Sequence, residues 1–216
     1  MSAALTTAAI DGIVLAAGRS ARMGRPKPLL RVDGETFLER AIRRLTAGGC
    51  RSVSVVVNDR DGAVPRLART LGAAVVVNPD SSSAQIDSVR LALANLPPDS
   101  SAVVVLPVDA PLVAIATVAA VIAAYRARRA PLVLPVHAGK DGHPVLLARA
   151  TFASILRDDL PEGLHSVMQS RADTIERVPV DDDGTLSDID TPEQYENMSR
   201  RSAVDRQQSQ KSKAES

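Results

Sequence analysis

Aromatic side chains make up only 2% of this 216-residue chain, tryptophan is absent, and there is a single cysteine. With so few rings, binding of single-stranded nucleic acid on aromatic platforms without regard to sequence is not expected. The core must be built from Val, Leu, Ile and Ala, which dominate a hydrophobic share of 45%. One cysteine excludes an intrachain disulfide and any multi-cysteine metal site. Cys50, after Gly48-Gly49 and before a strand-like run, reads as a small buried hydrophobe. Three scattered histidines, His137, His143 and His165, lack the spacing of zinc ligands. An excess of either charge is also missing. Lys and Arg number 26 against 25 Asp and Glu, a net charge of +1, so nothing draws the whole chain to nucleic acid or an anionic membrane, and any basic site is local. The first twelve residues lack a basic segment followed by a full apolar stretch, so no secretory leader is expected. The longest apolar run, residues 110–125, holds Pro111 and Thr117 and is too short to span a bilayer. The expected location is the cytoplasm.

What the chain has is alternation. "GIVLAA" (12–17), "SVSVVV" (52–57), "AAVVV" (73–77), "SAVVVL" (101–106) and "PLVLPV" (131–136) are near-continuous apolar runs, as strands buried on both faces require. Helical patterns fall between them at about 36–47, 63–71, 85–95 and 114–128. Thr36, with Glu39 three residues on, is a capping-box start for the first, and Gly48 follows its end. After residue 137 the pattern loosens into "GHPVLL" (142–147), helices near 150–157 and 162–170, "IERVPV" (175–180), and a Pro-started helix after Thr191. The order predicts a Rossmann-like α/β fold, an open, mostly parallel sheet with helices on both faces. One domain is expected over 10–198, followed by a polar, aperiodic tail over 199–216 that reads as disordered.

Three segments could carry chemistry. "VLAAGRSARMGRPKPLL" (14–30) lies in an interval with five cations, Arg19, Arg22, Arg25, Lys27 and Arg31, and no acid. It follows the first strand, where open parallel sheets bind ligands, and Gly18 and Gly24 permit close approach of backbone N–H groups to phosphate. It is neither a Walker A loop nor GxGxxG. In "VVVLPVDAP" (103–111), Asp109 follows a buried strand and suits either a turn or a Mg²⁺ ion. In "SDIDTPEQY" (187–195), Asp190 fits a helix cap better than Asp188 does, which leaves Asp188 as a candidate second metal ligand.

Together these segments resemble the MobA-like nucleotidyltransferases, a group that includes the cytidylyl- and guanylyltransferases of the molybdenum cofactor. "LAAGRSARMGRPKPLL" matches their LAAGxSxRMGxxKxLL signature, and "LPVDAPL", "GHPVLL" and "DIDTPEQY" match later motifs in order. The resemblance covers roughly residues 10–198. It implies a nucleotide approached by the Leu15, Ala16, Ala17 and Gly18 backbone and by Arg22, phosphates neutralised by Lys27, and Mg²⁺ held by Asp109 and Asp188. Arg22, Lys27, Asp109 and Asp188 are thus the expected catalytic set. Gln85 and Ser88 keep places of a "GQxxSL"-like base-recognition stretch, here "SSSAQIDSVRLAL", with Ala84 where glycine is frequent. Asn78 stands beside it, as a nucleotide contact or a loop residue. His143 either touches the acceptor or anchors a turn. Where cytidylyltransferase-like members often show "GDxGAR", this chain reads "LPEGLHSVM". The implied reaction moves a nucleoside monophosphate from CTP or GTP to a phosphorylated acceptor, molybdopterin first, and admits a molybdoenzyme as protein partner. The rivals are a sugar-1-phosphate acceptor and a non-catalytic, chaperone-like nucleotide binder.

Overall fold

The computed structural model describes residues 8–18, 23–80, 83–157 and 159–200. Strand β1 (Ile10–Leu15) is buried at every position. After a 3₁₀ turn at Lys27–Leu29, the short strands β2 (Arg31–Val32) and β3 (Glu35–Thr36) form a separate antiparallel pair. Helix α1 (Phe37–Ala47) starts on the Thr36–Glu39 capping box anticipated from the sequence. Strand β4 (Val53–Val57), helix α2 (Ala63–Thr70), strand β5 (Ala74–Val77), helix α3 (Gln85–Ala94), strand β6 (Ala102–Pro107) and helix α4 (Ile115–Arg128) then alternate. They are followed by β7 (Leu132–His137), β8 (Lys140–Asp141), β9 (Val145–Ala148), α5 (Arg149–Arg157), α6 (Leu164–Gln169) and β10 (Ile175–Pro179). A last helix covers residues 192–200. It carries the fold two residues past the expected boundary at 198, and Arg200 donates to Glu196 within it. The remainder of the expected tail, 201–216, lies outside the described residues.

The sheet runs β5-β4-β1-β6-β9-β7-β10, with β8 hydrogen-bonded to β7. It is parallel except at β9, which is antiparallel to both β6 and β7, and at β8. Strand alternation sends Val14, Val55, Val104 and Leu106 to one face, where they pack with Leu38 and Leu45 of α1 and Val118 and Val121 of α4. Ile13, Val56, Val103 and Val105 face the other side, against Val89 of α3, Ile155 of α5 and Val167 of α6. Helices therefore cover both faces, as a parallel sheet of apolar strands demands. Gly48 lets the end of α1 close on α4, since a Cβ there would lie 2.4 Å from Val118 Cγ1.

One polar group interrupts this core at the amino end of β1. Asp11 is 1% exposed and accepts from Arg51 Nη2 at 2.8 Å and Ser52 Oγ at 2.8 Å, and also from Ser100 Oγ. Desolvation pushes its carboxyl pKa up, but the hydrogen bonds from Arg51, Ser100 and Ser52 outweigh it, and the net shift is downward. Its contribution to stability is therefore complete above the ordinary carboxylate pKa of about 4 and is lost as pH falls through the lower folded value. Asp11→Ala should cost about 2 kcal/mol at pH 7, because Ser100 and Arg51 lose their acceptor. Urea titrations of both proteins should converge as the pH is taken below about 4.

Candidate functional site

The chain leaves β1 toward β4 on one side and returns to β6 on the other, so β1 and β6 flank the switch point of the sheet. At their carboxyl ends Leu15 pairs with Pro107, and Val108 N donates to Leu15 O at 3.1 Å. A 260 Å³ pocket opens there, walled by Leu15–Gly18, Lys27, Ser83, Gln85, Ser88 and Asp109. This is where an open α/β sheet binds ligand.

Lys27 is the charged centre of the pocket. The 3₁₀ turn between Pro26 and Pro28 leaves it 9% exposed. Its Nζ donates to Asp109 Oδ2 at 2.8 Å and to Asp190 Oδ1 at 2.5 Å. Desolvation pulls the ammonium pKa down, yet the hydrogen bonds to Asp109 and Asp190 prevail and raise it. The lysine therefore stays charged throughout the physiological range.

The two distant carboxylates arrive on a segment that crosses the end of β6. Asp182 fixes it by accepting from Ala114 N at 2.8 Å and Thr117 Oγ1 at 2.5 Å, at the start of α4. Further along, His143 N donates to Thr185 O and Ile189 N to Asp109 O. Asp188 consequently lies near Asp109, Asp190, His143 and Lys27. Burial raises its carboxyl pKa, and Asp109 and Asp190 push the same way against His143 and Lys27. Asp190 is not the helix cap that local sequence suggested. Thr191 takes that place, with its Oγ1 accepting from Gln194 N while Gln194 Oε1 accepts from Thr191 N. Asp190, one residue earlier, gives its backbone N–H to Gln194 Oε1 at 2.7 Å, and its carboxylate accepts from Lys27.

The structure separates the basic loop. Arg25 stacks 5.2 Å from the centroid of the Tyr195 ring, and Arg31 Nη1 donates to Gly34 O. Of the described cations of the loop, only Lys27 lines the pocket; Arg19 and Arg22, the latter expected to contact nucleotide, lie outside the described residues. Asn78 is not part of the wall. It is buried, and its Nδ2 donates to Ser83 Oγ at 2.8 Å and Ser88 Oγ at 3.0 Å. It thus sets the loop from behind, while Ser83, Ser88 and Gln85 face the cavity. His143 lines a neighbouring cavity that also borders Leu15, Gln85 and Pro107, and its Nδ1 is buried without a hydrogen-bond partner. Asn58 was not anticipated. Its Oδ1 is likewise buried and unpartnered, in a cavity beyond Ala16 and Gly18. The sequence signal was an amide directly after the β4 run, at the carboxyl edge where ligands bind. Cys50 is buried, and burial pushes its thiol up to about 12, so it is inert, as expected.

Among the described residues no cluster of three or more His, Cys, Asp or Glu side chains could hold a metal by itself. Asp109, on the wall of the 260 Å³ pocket, and the nearby Asp188 offer two hard oxygen ligand groups. That set fits Mg²⁺, which takes one or two carboxylates and completes its shell with substrate phosphates and water. Among the described residues, no helix is long and apolar enough to cross a membrane.

The fold and pocket define an α/β protein of the nucleotidyltransferase type. The chain belongs to the family of the MobA-like NTP transferase domain, whose model matches residues 12–175. It is 30% identical to nicotine blue oxidoreductase of Paenarthrobacter nicotinovorans over 86% of this chain and 94% of that protein. It is 25% identical to the molybdenum cofactor cytidylyltransferase of Escherichia coli K12, over 87% and 94% respectively. A solved manganese complex of Rv0371c from Mycobacterium tuberculosis H37Rv superposes with a TM-score of 0.72 at 27% identity, covering 90% of this chain and all of that one.

Proposed function

We propose that this protein transfers a nucleoside monophosphate from CTP or GTP to a phosphorylated small-molecule acceptor in the cytoplasm. An acceptor oxygen attacks the α-phosphorus, a new P–O bond forms, and the bond to the bridging oxygen breaks, so that pyrophosphate leaves with the electron pair. The observation that carries this reading is Lys27, charged and held between Asp109 and Asp190 at the β1–β6 switch point. No protein nucleophile is needed, because phosphoryl chemistry of this kind rests on positioning and charge stabilisation. The Leu15–Gly18 backbone would receive the nucleotide, Arg22 and Lys27 would meet its phosphates, and Ser83, Gln85 and Ser88 would line its far wall. Asp109 and Asp188 would hold Mg²⁺, which when bound offsets phosphate charge. The presence of manganese in the Rv0371c structure supports a divalent ion in this fold.

The acceptor would lie in the cavity beside His143, which borders the nucleotide pocket. The molybdenum cofactor is the first acceptor to test, supported by the likeness to the E. coli cytidylyltransferase, and a molybdoenzyme would then receive the product. A sugar 1-phosphate is the enzymatic alternative, on a fold that hosts several acceptors. The oxidoreductase among the relatives widens the chemistry found with this fold, but the Lys27–Asp109–Asp188 arrangement favours nucleotidyl transfer here.

The reading is tested by thermal unfolding with ATP, CTP, GTP and UTP, each with and without Mg²⁺. Nucleotide at a hundredfold excess over its Kd should add about 2.7 kcal/mol, a rise of roughly 5–10 °C for a chain of this length. A Mg²⁺-dependent rise with CTP or GTP is expected. No rise with any of the four would overturn the assignment of the pocket to a triphosphate.

A further inference from the structure

The final helix is tied to the core at two points. Ile189, just before it, and Met198, within it, are each 5% exposed, and both belong to the apolar cluster that α1 and α4 build on one face of the sheet. Tyr195, one turn before Met198, lies half-buried at the edge of that cluster. Its specific contacts run to the basic loop. The hydroxyl donates to Arg31 O at 2.7 Å, and the Arg25 guanidinium stands 5.2 Å from the centre of the ring. The ring also packs against Phe37, with centroids 6.0 Å apart, and Phe37 N donates to Leu30 O at 2.8 Å.

Arg25 and Arg31 flank the 3₁₀ turn that carries Lys27. The backbone bonds inside this turn are local, from Leu29 N to Pro26 O and from Leu30 N to Lys27 O. Pro26 and Pro28, on either side of Lys27, have no N–H with which to tie it to a neighbouring element. The turn is therefore placed from its two ends. Tyr195 holds both, one through the face of its ring and the other through its hydroxyl. With the turn in that position, Lys27 Nζ reaches Asp109 Oδ2 at 2.8 Å and Asp190 Oδ1 at 2.5 Å. Tyr195 itself does not line the nucleotide pocket, so any effect it has on chemistry passes through the turn.

We propose that Tyr195 is a positioning residue, which grips both ends of the 25–31 turn and so holds the Lys27 ammonium at the wall of the nucleotide pocket. Its consequence for turnover rests on the nucleotidyl-transfer reading; the grip on Lys27 does not. The final helix thus serves the site twice, since the segment that brings Asp190 to Lys27 also fixes the turn from which Lys27 projects.

Competitive acylation of the full chain near neutral pH reads the grip directly. The chain has four lysines, Lys27, Lys140, Lys211 and Lys213, and mass spectrometry follows each one. Lys140 is exposed on β8 and serves as the internal reference. Relative to it, Lys27 should acylate about tenfold faster in Tyr195→Leu, which loses the hydroxyl bond and the stacked cation together. Tyr195→Phe keeps the ring and should show about a fivefold rise, the loss of one hydrogen bond. Steady-state rates supply the second readout. Tyr195→Leu should lower kcat/KM about tenfold in the natural background but less than about twofold in Lys27→Met, where nothing is left to position. A tyrosine that merely anchored the helix would lower the melting temperature and give losses that multiply in the double variant. Multiplying losses would overturn the proposal, as would unchanged Lys27 acylation in Tyr195→Leu. Should Tyr195→Leu fail to fold, Tyr195→Phe decides by the same two criteria. Acylation needs neither nucleotide nor turnover, so its failure is distinct from a failure of CTP and GTP to stabilise the protein, which would instead overturn the nucleotidyl-transfer reading.

Discussion

Asp109→Ala is expected to lower turnover by about 10³-fold or more while leaving the melting temperature within roughly 3 °C of the natural protein. The two halves of this expectation have different physical origins. Asp109 supports the local fold through its backbone, whose carbonyl accepts from Ile189 N at 2.8 Å, and alanine keeps that bond. Its side chain is bonded to Lys27 and remains 28% exposed, so truncation buries no orphaned group at this position. The catalytic loss would be larger because, on the proposed reading, the same carboxylate holds the divalent ion as well as accepting from Lys27. Pyrophosphate release with CTP or GTP and the productive acceptor gives the rate, and calorimetry gives the melting temperature. A protein that only binds nucleotide without metal would release no pyrophosphate and would keep its nucleotide affinity in Asp109→Ala, so an unchanged affinity in the presence of Mg²⁺ would remove Asp109 from the site.

Lys27→Met should reduce kcat/KM by about 10²–10³-fold. Methionine matches the length of the lysine stem and keeps its packing in the 3₁₀ turn, so the change removes charge with little loss of volume. It also leaves Asp109 and Asp190 facing each other without their shared cation, and like charges near 4 Å cost about 1 kcal/mol in water and about 4 kcal/mol at an effective dielectric near 20. Nucleotide phosphates would then enter a pocket whose described charges are all negative. Asp190→Asn is the companion variant. It keeps a hydrogen-bond acceptor for Lys27 but removes one carboxylate, and should fall well short of the Lys27→Met loss. Equal losses in the two would show that the Lys27–Asp190 pair, rather than the ammonium alone, is what the reaction needs. The upward shift of the Lys27 pKa sets the pH behaviour. Its contribution to stability is present below the ordinary value of 10.5 and is lost only as pH rises through the still higher folded value. No fall in activity below pH 10 should therefore trace to this residue, and a pH–rate profile of the natural enzyme checks it.

Much of the architecture follows from local sequence. Val-rich runs such as 53–57 and 102–107 have no polar alternation, so they can be stable only when both faces are covered, and helices on both sides of the sheet follow. The Thr36–Glu39 box and the Pro-started final helix are equally local, because capping bonds span three residues. The carboxyl-end position of Ala16–Gly18 and of Asp109 could be read from strand order alone, since an α/β sheet places its ligand there.

Tertiary structure decided the rest. The reversal of β9 left no mark on its apolar pattern, because a buried strand looks the same in either direction. Arg25 and Lys27 are two residues apart in the same basic loop, yet one lies against Tyr195 and the other in the pocket, a division made by a helix more than 160 residues later. Asp190 sits directly before the Thr191 start of the final helix, and nothing local marks its contact with Lys27. The placement of Asp188 and Asp190 beside Asp109 depends on Asp182, Thr185 and Ile189 docking across the end of β6. These contacts join residues about 40 to 80 positions apart. No periodicity records them, so local propensity fixes the elements and packing alone assembles their polar ends into a site.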